Sequence, residues 1–274
     1  MQPELLTNAN AHEREYGERD RLEGLKNLCY QHECPTLTRD MNTQTFVLGV
    51  IWYVVFLFST VCHEGAHALA AKLGGDLTAF HGGQATLNPI PHMRREPFGT
   101  IVVPILSYIF AGWMIGWASA PYDPIWAQRY PRRAAWMALA GPAANFTLMT
   151  ASGIAIHVGM AIGAFHAPES ASFTRITQAA ATGGPAELLA TVLSILFVLN
   201  LLLGTFNLLP FPPLDGHNGI TVLFPERIAE RFMTGTFAGL GFAGLLIAWV
   251  VYDKVFPIIF RLALNLLYPG AHYG

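Results

Sequence analysis

The chain has 274 residues, of which 53% are hydrophobic and only 12% carry a charge. A soluble domain carries about 25% charged residues, so this chain has about half the usual supply. Its 16 Lys plus Arg against 18 Asp plus Glu exclude a basic nucleic-acid binder, and its three cysteines exclude a disulfide scaffold. The composition therefore indicates a membrane protein.

The charged residues are concentrated at the N-terminus. Residues 1–43 hold 13 of the 34 charged side chains, 5 basic and 8 acidic, while the other 231 residues share 21. We therefore expect two parts: a polar, acidic N-terminal tail over 1–43 and a membrane-embedded domain over 44–274.

Long apolar runs predict the membrane segments, since about 20 apolar residues suffice to cross the hydrocarbon core. A polar stretch over 74–99, in which residues 79–88 could form an exposed strand edge, separates the first run from the others. The apolar runs are Thr45–Leu73, Thr100–Ala120, Ala134–Phe165, Ala186–Leu209, Thr234–Tyr252 and the shorter Val255–Tyr268. The expected fold is an all-α polytopic membrane protein with about five to six transmembrane or re-entrant helices and a small membrane-associated β segment.

The first run contains the motif His63-Glu64-Gly65-Ala66-His67. Four residues advance a helix by about 400°, so the two histidines project from nearly the same side, one turn apart. Two neutral imidazoles in this position can bind one tetrahedral zinc ion, and Glu64 can hold the zinc-bound water and accept its proton. Ionisable residues in a spanning helix are costly to bury and usually mark function. The alternative is a polar cluster that only bridges helices.

A catalytic zinc ion usually has three protein ligands and one open position, so a third ligand is expected elsewhere in the chain. Asp215 lies in the segment Asn207–Gly216, whose three prolines end the preceding helix because proline lacks an N–H. A rigid, non-helical segment that presents one carboxylate near the membrane suits a metal ligand. Alternatively, Asp215 caps the start of a helix.

A third polar position lies in the sequence Gly141-Pro142-Ala143-Ala144-Asn145. Glycine and proline within an apolar helix allow close backbone approach and a kink. Asn145 could donate a hydrogen bond to a developing oxyanion. Alternatively, its amide forms a hydrogen bond between helices.

These motifs together resemble the site-2 protease family of intramembrane zinc metalloproteases. The resemblance covers roughly residues 55–250, with HEGAH in a membrane helix, GPAAN in a later one and NLLPFPPLDG after a third. The spacing leaves no room for a PDZ domain, so a minimal family form is expected. The resemblance implies that one Zn²⁺ per chain is bound by His63, His67 and Asp215, that Glu64 is the catalytic base and that Asn145 assists substrate or transition-state binding.

The resemblance also implies an activity and a location. The expected activity is that of a zinc metalloendopeptidase that hydrolyses peptide bonds of transmembrane substrates. The expected partners are such a protein substrate and the lipid bilayer, with no nucleic acid, and the expected location is the bacterial cytoplasmic (inner) membrane, crossed several times. Two alternatives stay open. An ion or metal transporter would show inverted repeats, which the sequence lacks, and a catalytically inactive metal-binding scaffold would not need Glu64 and Asp215 intact.

The positions of the three candidate ligands constrain the topology. His63 and His67 lie late in the first run, and Asp215 follows the end of Ala186–Leu209. They meet most simply if these two helices run in the same direction, which requires an odd number of crossings between them. Two apolar runs intervene, so we predict that Thr100–Ala120, which proline and glycine interrupt, enters and leaves by the same side.

Overall fold

The computed structural model of the protein describes residues 42–225, 228, 241–271 and 273. The expected N-terminal tail lies outside the described residues except for its last two positions. The helices are α1 Thr43–Gly74, α2 Thr78–His81, α3 Pro89–Arg95, α4 Val103–Ala111, α5 Pro124–Arg129, α6 Pro131–Ala161, α7 Pro185–Asn207, α8 Asp215–Gly219 and α9 Gly241–Leu267. A π-helical turn at Phe98–Val102 leads into α4, a 3-10 turn at Ile220–Leu223 follows α8, and two short strands, β1 Phe165–His166 and β2 Gln178–Ala179, lie between α6 and α7.

Four of the described helices, α1, α6, α7 and α9, are long and apolar enough to cross a membrane. A fifth apolar segment, the helix Phe98–Ala111, is shorter than these four. This architecture confirms the predicted all-α polytopic class, with five transmembrane or re-entrant helices in the described part of the chain.

The last spanning helix joins two runs that the sequence analysis separates. Among the described residues, α9 continues from Gly241 to Leu267, through the junction between Thr234–Tyr252 and Val255–Tyr268. The junction is the pair Asp253-Lys254, whose exposed side chains approach each other to 2.7 Å. An exposed ion pair lowers the local hydropathy but leaves the helical backbone intact, so the helix does not end there.

Of the three spans α1, α6 and α7, the first and last are parallel and α6 is antiparallel to both. Thr43 at the start of α1 and Glu187 at the start of α7 line the same cavity, so α1 and α7 run in the same direction, as predicted. Arg133, near the start of α6, donates to the carbonyl of Gly74 at the end of α1 at 3.0 Å. The helix α6 therefore runs opposite to both neighbours, and the ends of α1 and α7 meet on one side.

The segment that begins at Phe98 doubles back. Tyr108 on α4 donates to the carbonyl of Thr45 at 2.6 Å, so α4 reaches the beginning of α1. After α4 the chain returns, and the Trp117 N–H donates to the Gly99 carbonyl at 3.1 Å. The run predicted to be re-entrant therefore enters and leaves on the same side.

The β segment lies elsewhere than expected. Residues 79–88 form no strand: Thr78–His81 is helical and residues 82–88 form turns. The reason is local, because the Asp76 carboxylate accepts from the Thr78 N–H at 2.9 Å and hydroxyl at 2.6 Å, which starts the helical turn. The two strands instead pair antiparallel, with Phe165 opposite Ala179, at the other end of the helices.

Candidate metal centre

Two histidines of α1 and one aspartate from a distant part of the sequence converge in the second half of α1. The Nε2 atoms of His63 and His67 lie 3.0 Å apart. The Asp215 Oδ2 atom lies 3.0 Å from His63 Nε2 and 3.2 Å from His67 Nε2. Two imidazole nitrogens and one carboxylate oxygen form a donor set typical of catalytic zinc sites. The structure thus brings together the three ligands expected from the sequence.

Outer hydrogen bonds orient both imidazoles. The His67 Nδ1 atom lies 2.7 Å from the Met137 carbonyl oxygen, and the His63 Nδ1 atom lies 2.6 Å from Asn145 Oδ1. A carbonyl oxygen can only accept, so both Nδ1 atoms carry the proton. In a neutral imidazole this leaves the Nε2 lone pair available to a metal ion, and such outer partners commonly set the tautomer and orientation of metal-binding histidines.

Gly141 on α6 leaves space in front of the two imidazoles. A Cβ atom at this position would collide with the Nε2 atoms of both His63 and His67. Any residue other than glycine would therefore occupy the place where an ion must lie. Three converging donors, two oriented lone pairs and this space fit a zinc ion.

Asp215 is the first residue of the short helix α8, which follows the proline-containing turn after α7. In the described residues, its carboxylate accepts no hydrogen bond from the backbone of α8 and instead lies against the two imidazoles. The alternative of a capping aspartate is therefore not what the structure shows.

Glu64 lies between the two histidines in the sequence and is buried, with 6% of its surface exposed. Within the described residues, its carboxylate accepts no hydrogen bond. The structure therefore leaves this buried carboxylate beside the ligand cluster without a competing partner.

Asn145 lies behind His63. It is fully buried, its Oδ1 faces His63 Nδ1, and its Nδ2 donates to Asn200 Oδ1 on α7 at 2.8 Å. The oxyanion role expected from the sequence needs an amide N–H beside the substrate, but the amide nitrogen faces Asn200. The structure thus contains the hydrogen bond between helices and adds a contact to a predicted metal ligand, while a role of Asn145 in substrate or transition-state binding stays a prediction.

Sequence analysis missed two residues behind the centre, Asn200 and Ser59. Asn200 Nδ2 donates to Ser59 Oγ at 2.9 Å and to the Leu196 carbonyl at 2.8 Å. A signal was present, because Ser59 lies one turn before His63 on the same side of α1. Asn200 is an amide within an apolar span, which also marks a site where helices bond to each other.

A loop over residues 82–88 lies against α1 beside the histidines. The Thr86 carbonyl would lie 3.2 Å from a Cβ at Gly65, so the small residue between Glu64 and His67 allows the close approach. The same carbonyl accepts from His92 Nε2 at 3.2 Å. In the described part of the chain, the backbone N–H groups of residues 85–87 donate to no other group. Backbone donors are therefore available near the metal centre.

Comparisons with known proteins agree with this geometry. The model of Peptidase family M50 matches residues 51–250, a range that contains every residue of the centre. "Putative zinc metalloprotease YwhC" of Bacillus subtilis (strain 168) is 32% identical over 189 residues, which cover 68% of this chain and 75% of that protein. No solved structure matched the chain. The chain belongs to peptidase family M50, the site-2 protease family of zinc metalloproteases, and its apolar helices make it an integral membrane protein.

Proposed function

We propose that the protein is an intramembrane zinc metalloendopeptidase that cleaves transmembrane protein substrates. One zinc ion per chain is held by His63, His67 and Asp215, and Glu64 is the catalytic base. The observation that carries this proposal is the convergence of two Nε2 atoms and one carboxylate oxygen within 4.8 Å of one another. The space kept open by Gly141 supports it.

In the proposed reaction, the zinc ion, Glu64 and the two histidines have different roles. When bound, the zinc ion supplies Lewis-acid chemistry, which polarises the scissile carbonyl and lowers the pKa of a coordinated water. Glu64 accepts a proton from the attacking water and passes it to the leaving amine. Asn145 Oδ1 accepts the Nδ1 proton of His63 and the Met137 carbonyl accepts that of His67, so in the neutral imidazoles Nε2 is the nitrogen that would bind the ion.

Zinc analysis and a cleavage assay on the purified full-length protein test this proposal. We expect the wild-type protein to retain zinc and to cleave a model single-span substrate. Glu64→Gln should retain zinc but reduce cleavage about 10²–10⁴-fold, because it removes the base without removing a ligand. Undiminished cleavage by Glu64→Gln would end the protease proposal. A wild-type protein that binds zinc but cleaves no substrate would favour the inactive scaffold, and metal transport without cleavage would favour the transporter.

The substrate must be presented as an extended segment, because a helix hides its carbonyls in hydrogen bonds from residue i to residue i−4. The N–H groups of residues 85–87, which find no acceptor among the described residues, support docking by backbone pairing, with the substrate acting as an added strand. The loop itself is not a strand, so pairing would order both partners together.

Leu87→Pro tests this docking mode. Proline removes one backbone donor, and the Leu87 side chain is 67% exposed, so the change removes little packing. We expect a higher KM or lost cleavage with zinc retained. Leu87→Ala, which keeps the N–H, should cleave like the wild-type protein. If Leu87→Pro cleaves normally, the substrate docks elsewhere.

We further propose that the side of the membrane that carries the loops over 75–130 is cytoplasmic. In the described residues, this side is rich in positive charge, which favours a cytoplasmic location. The basic side chains are Lys72, Arg94, Arg95, Arg129, Arg132 and Arg133. The bacterial source of the relative YwhC supports placement in a bacterial cytoplasmic membrane.

A further inference from the structure

A buried chain of hydrogen bonds leads away from His63 and crosses three helices. His63 Nδ1 on α1 contacts Asn145 Oδ1 on α6 at 2.6 Å. Asn145 Nδ2 donates to Asn200 Oδ1 on α7 at 2.8 Å. Asn200 Nδ2 then donates back to α1, to Ser59 Oγ at 2.9 Å, and also to the Leu196 carbonyl at 2.8 Å. Ser59, Asn145 and Asn200 are all fully buried.

The Leu196 carbonyl fixes which group donates and which accepts at each step of this chain of hydrogen bonds. A backbone carbonyl can only accept, so the NH₂ group of Asn200 must face Leu196 and its Oδ1 must face Asn145. Asn145 must then present its NH₂ group to Asn200 and its Oδ1 to His63. It follows that His63 Nδ1 carries a proton and that, in the neutral imidazole, Nε2 is the unprotonated nitrogen.

The two histidines reach the same tautomer by different means. His67 donates directly to the backbone carbonyl of Met137 at 2.7 Å, and a backbone carbonyl can only accept. His63 instead faces a side-chain amide, which could rotate and offer its NH₂ group. If Asn145 rotated, His63 Nδ1 would have to accept, and the proton would move to Nε2, where a metal ion binds. Something must therefore hold Asn145 in one orientation.

We propose that Asn200 and Ser59 are positioning residues of the metal centre, which fix the orientation of Asn145 and through it the tautomer of His63. This inference rests on the proposed zinc site. In the described structure, neither Asn200 nor Ser59 forms a hydrogen bond with His67 or Asp215. Both are fully buried and lie behind the ligands, so they act through Asn145 and not on the substrate.

A double-mutant cycle on the full-length protein tests the proposal through zinc affinity, measured by competition with a chelator. Asn145→Ala should weaken zinc binding about 10–100-fold, as is typical for outer partners of metal ligands, and Asn200→Leu about tenfold. Because Asn200 acts only through Asn145, the double variant should bind zinc as Asn145→Ala does. Independent packing roles would instead multiply the two effects, and that result would overturn the proposal.

A pair of serine variants provides a milder test if an asparagine variant does not fold. Ser59→Ala and Ser194→Ala make the same change in two fully buried serines. Ser194 Oγ accepts from the Ile176 N–H at 2.9 Å, near the start of α7 and away from the centre. We expect Ser59→Ala to lower zinc affinity about threefold and Ser194→Ala to leave it unchanged. Equal zinc affinity in the two variants would overturn the role of Ser59.

The wild-type protein separates this inference from the proposed function. If the wild-type protein binds no zinc, the zinc site itself is wrong. If it binds zinc and cleaves substrate while the effects of Asn145→Ala and Asn200→Leu multiply, only the positioning role is wrong.

Discussion

The first three spans and the fourth are held together by different side chains. Around the metal centre, α1, α6 and α7 meet through small and polar residues, such as Gly141 against the histidines and Asn145 bonded to Asn200. Farther along α1 and α7, large apolar side chains such as Trp52 and Ile195 pack together. The fourth span, α9, meets α7 through aromatic rings, with centroids 5.1 Å apart for Phe206 and Trp249 and 5.0 Å apart for Phe206 and Tyr252.

This difference separates the helices that surround the candidate metal centre from the helix that only packs against them. In lipid there is little hydrophobic drive between helices, so close packing of small residues and interhelical hydrogen bonds bring backbones together. Only such close approach allows ligands from α1 and α8 and a glycine of α6 to share one centre. The aromatic rings between α7 and α9 keep the two helix backbones farther apart, and α9 supplies none of the three candidate ligands. It approaches the centre at Gly244, where a Cβ would collide with the Pro212 carbonyl in the turn before Asp215.

The largest expected effect comes from replacing Asp215 at the metal centre, and the same replacement of Asp253 on α9 is its control. Asp215→Ala should abolish cleavage and lower zinc affinity more than about 100-fold, because it removes a ligand. Replacing a residue that only hydrogen-bonds to a ligand typically lowers metal affinity about 10–100-fold. Asp253→Ala, on the exposed surface of α9, should change neither property. Zinc content and cleavage of the purified variants are the measurements. Zinc retention by Asp215→Ala equal to that of Asp253→Ala would show that Asp215 is not a ligand.

A smaller effect is expected when space rather than a ligand is removed. Gly141→Ala should lower zinc affinity about 10–100-fold, because the added methyl group displaces both imidazoles without deleting a donor atom. Gly153→Ala is a matched control on the same helix, since its Cβ would lie 3.4 Å from Leu267 on α9, a tolerable distance. Chelator competition compares the two variants. Equal affinities would mean that the packing around Gly141 can relax and does not define the site.

The smallest effect on the centre is expected from the aromatic contact. Trp249→Ala removes the ring that packs against Phe206 and should lower the free energy of unfolding by about 1 kcal/mol, while zinc affinity stays at the wild-type value. Thermal unfolding of the metal-free protein and zinc titration measure the two quantities separately. A drop in zinc affinity would contradict the division of roles and would make α9 part of the support for the Asp215 turn.

Features that depend on local sequence were predicted well. The spacing of His63 and His67 places them on one side of a helix wherever that helix packs. The long apolar runs identify the spans because their length must match the bilayer. The prolines before Asp215 end α7 for a reason that needs no tertiary contact. The strand edge over 79–88 was wrong because the hydrogen bonds of Asp76 to Thr78 favour a helical turn over an extended backbone.

The remaining features depend on contacts between residues far apart in the chain. Asn145 meets His63 across 82 positions, Asp215 meets it across 152, and Asn200 meets Ser59 across 141. A soluble helix shows its buried side through the alternation of polar and apolar residues. A spanning helix is apolar on all sides, because lipid replaces water around it. The sequence by itself therefore determined which segments are apolar enough to cross the membrane and which residues are the candidate metal ligands. The rotation of each helix about its axis, and with it the hydrogen-bond partners of Asn145, was decided only by tertiary packing.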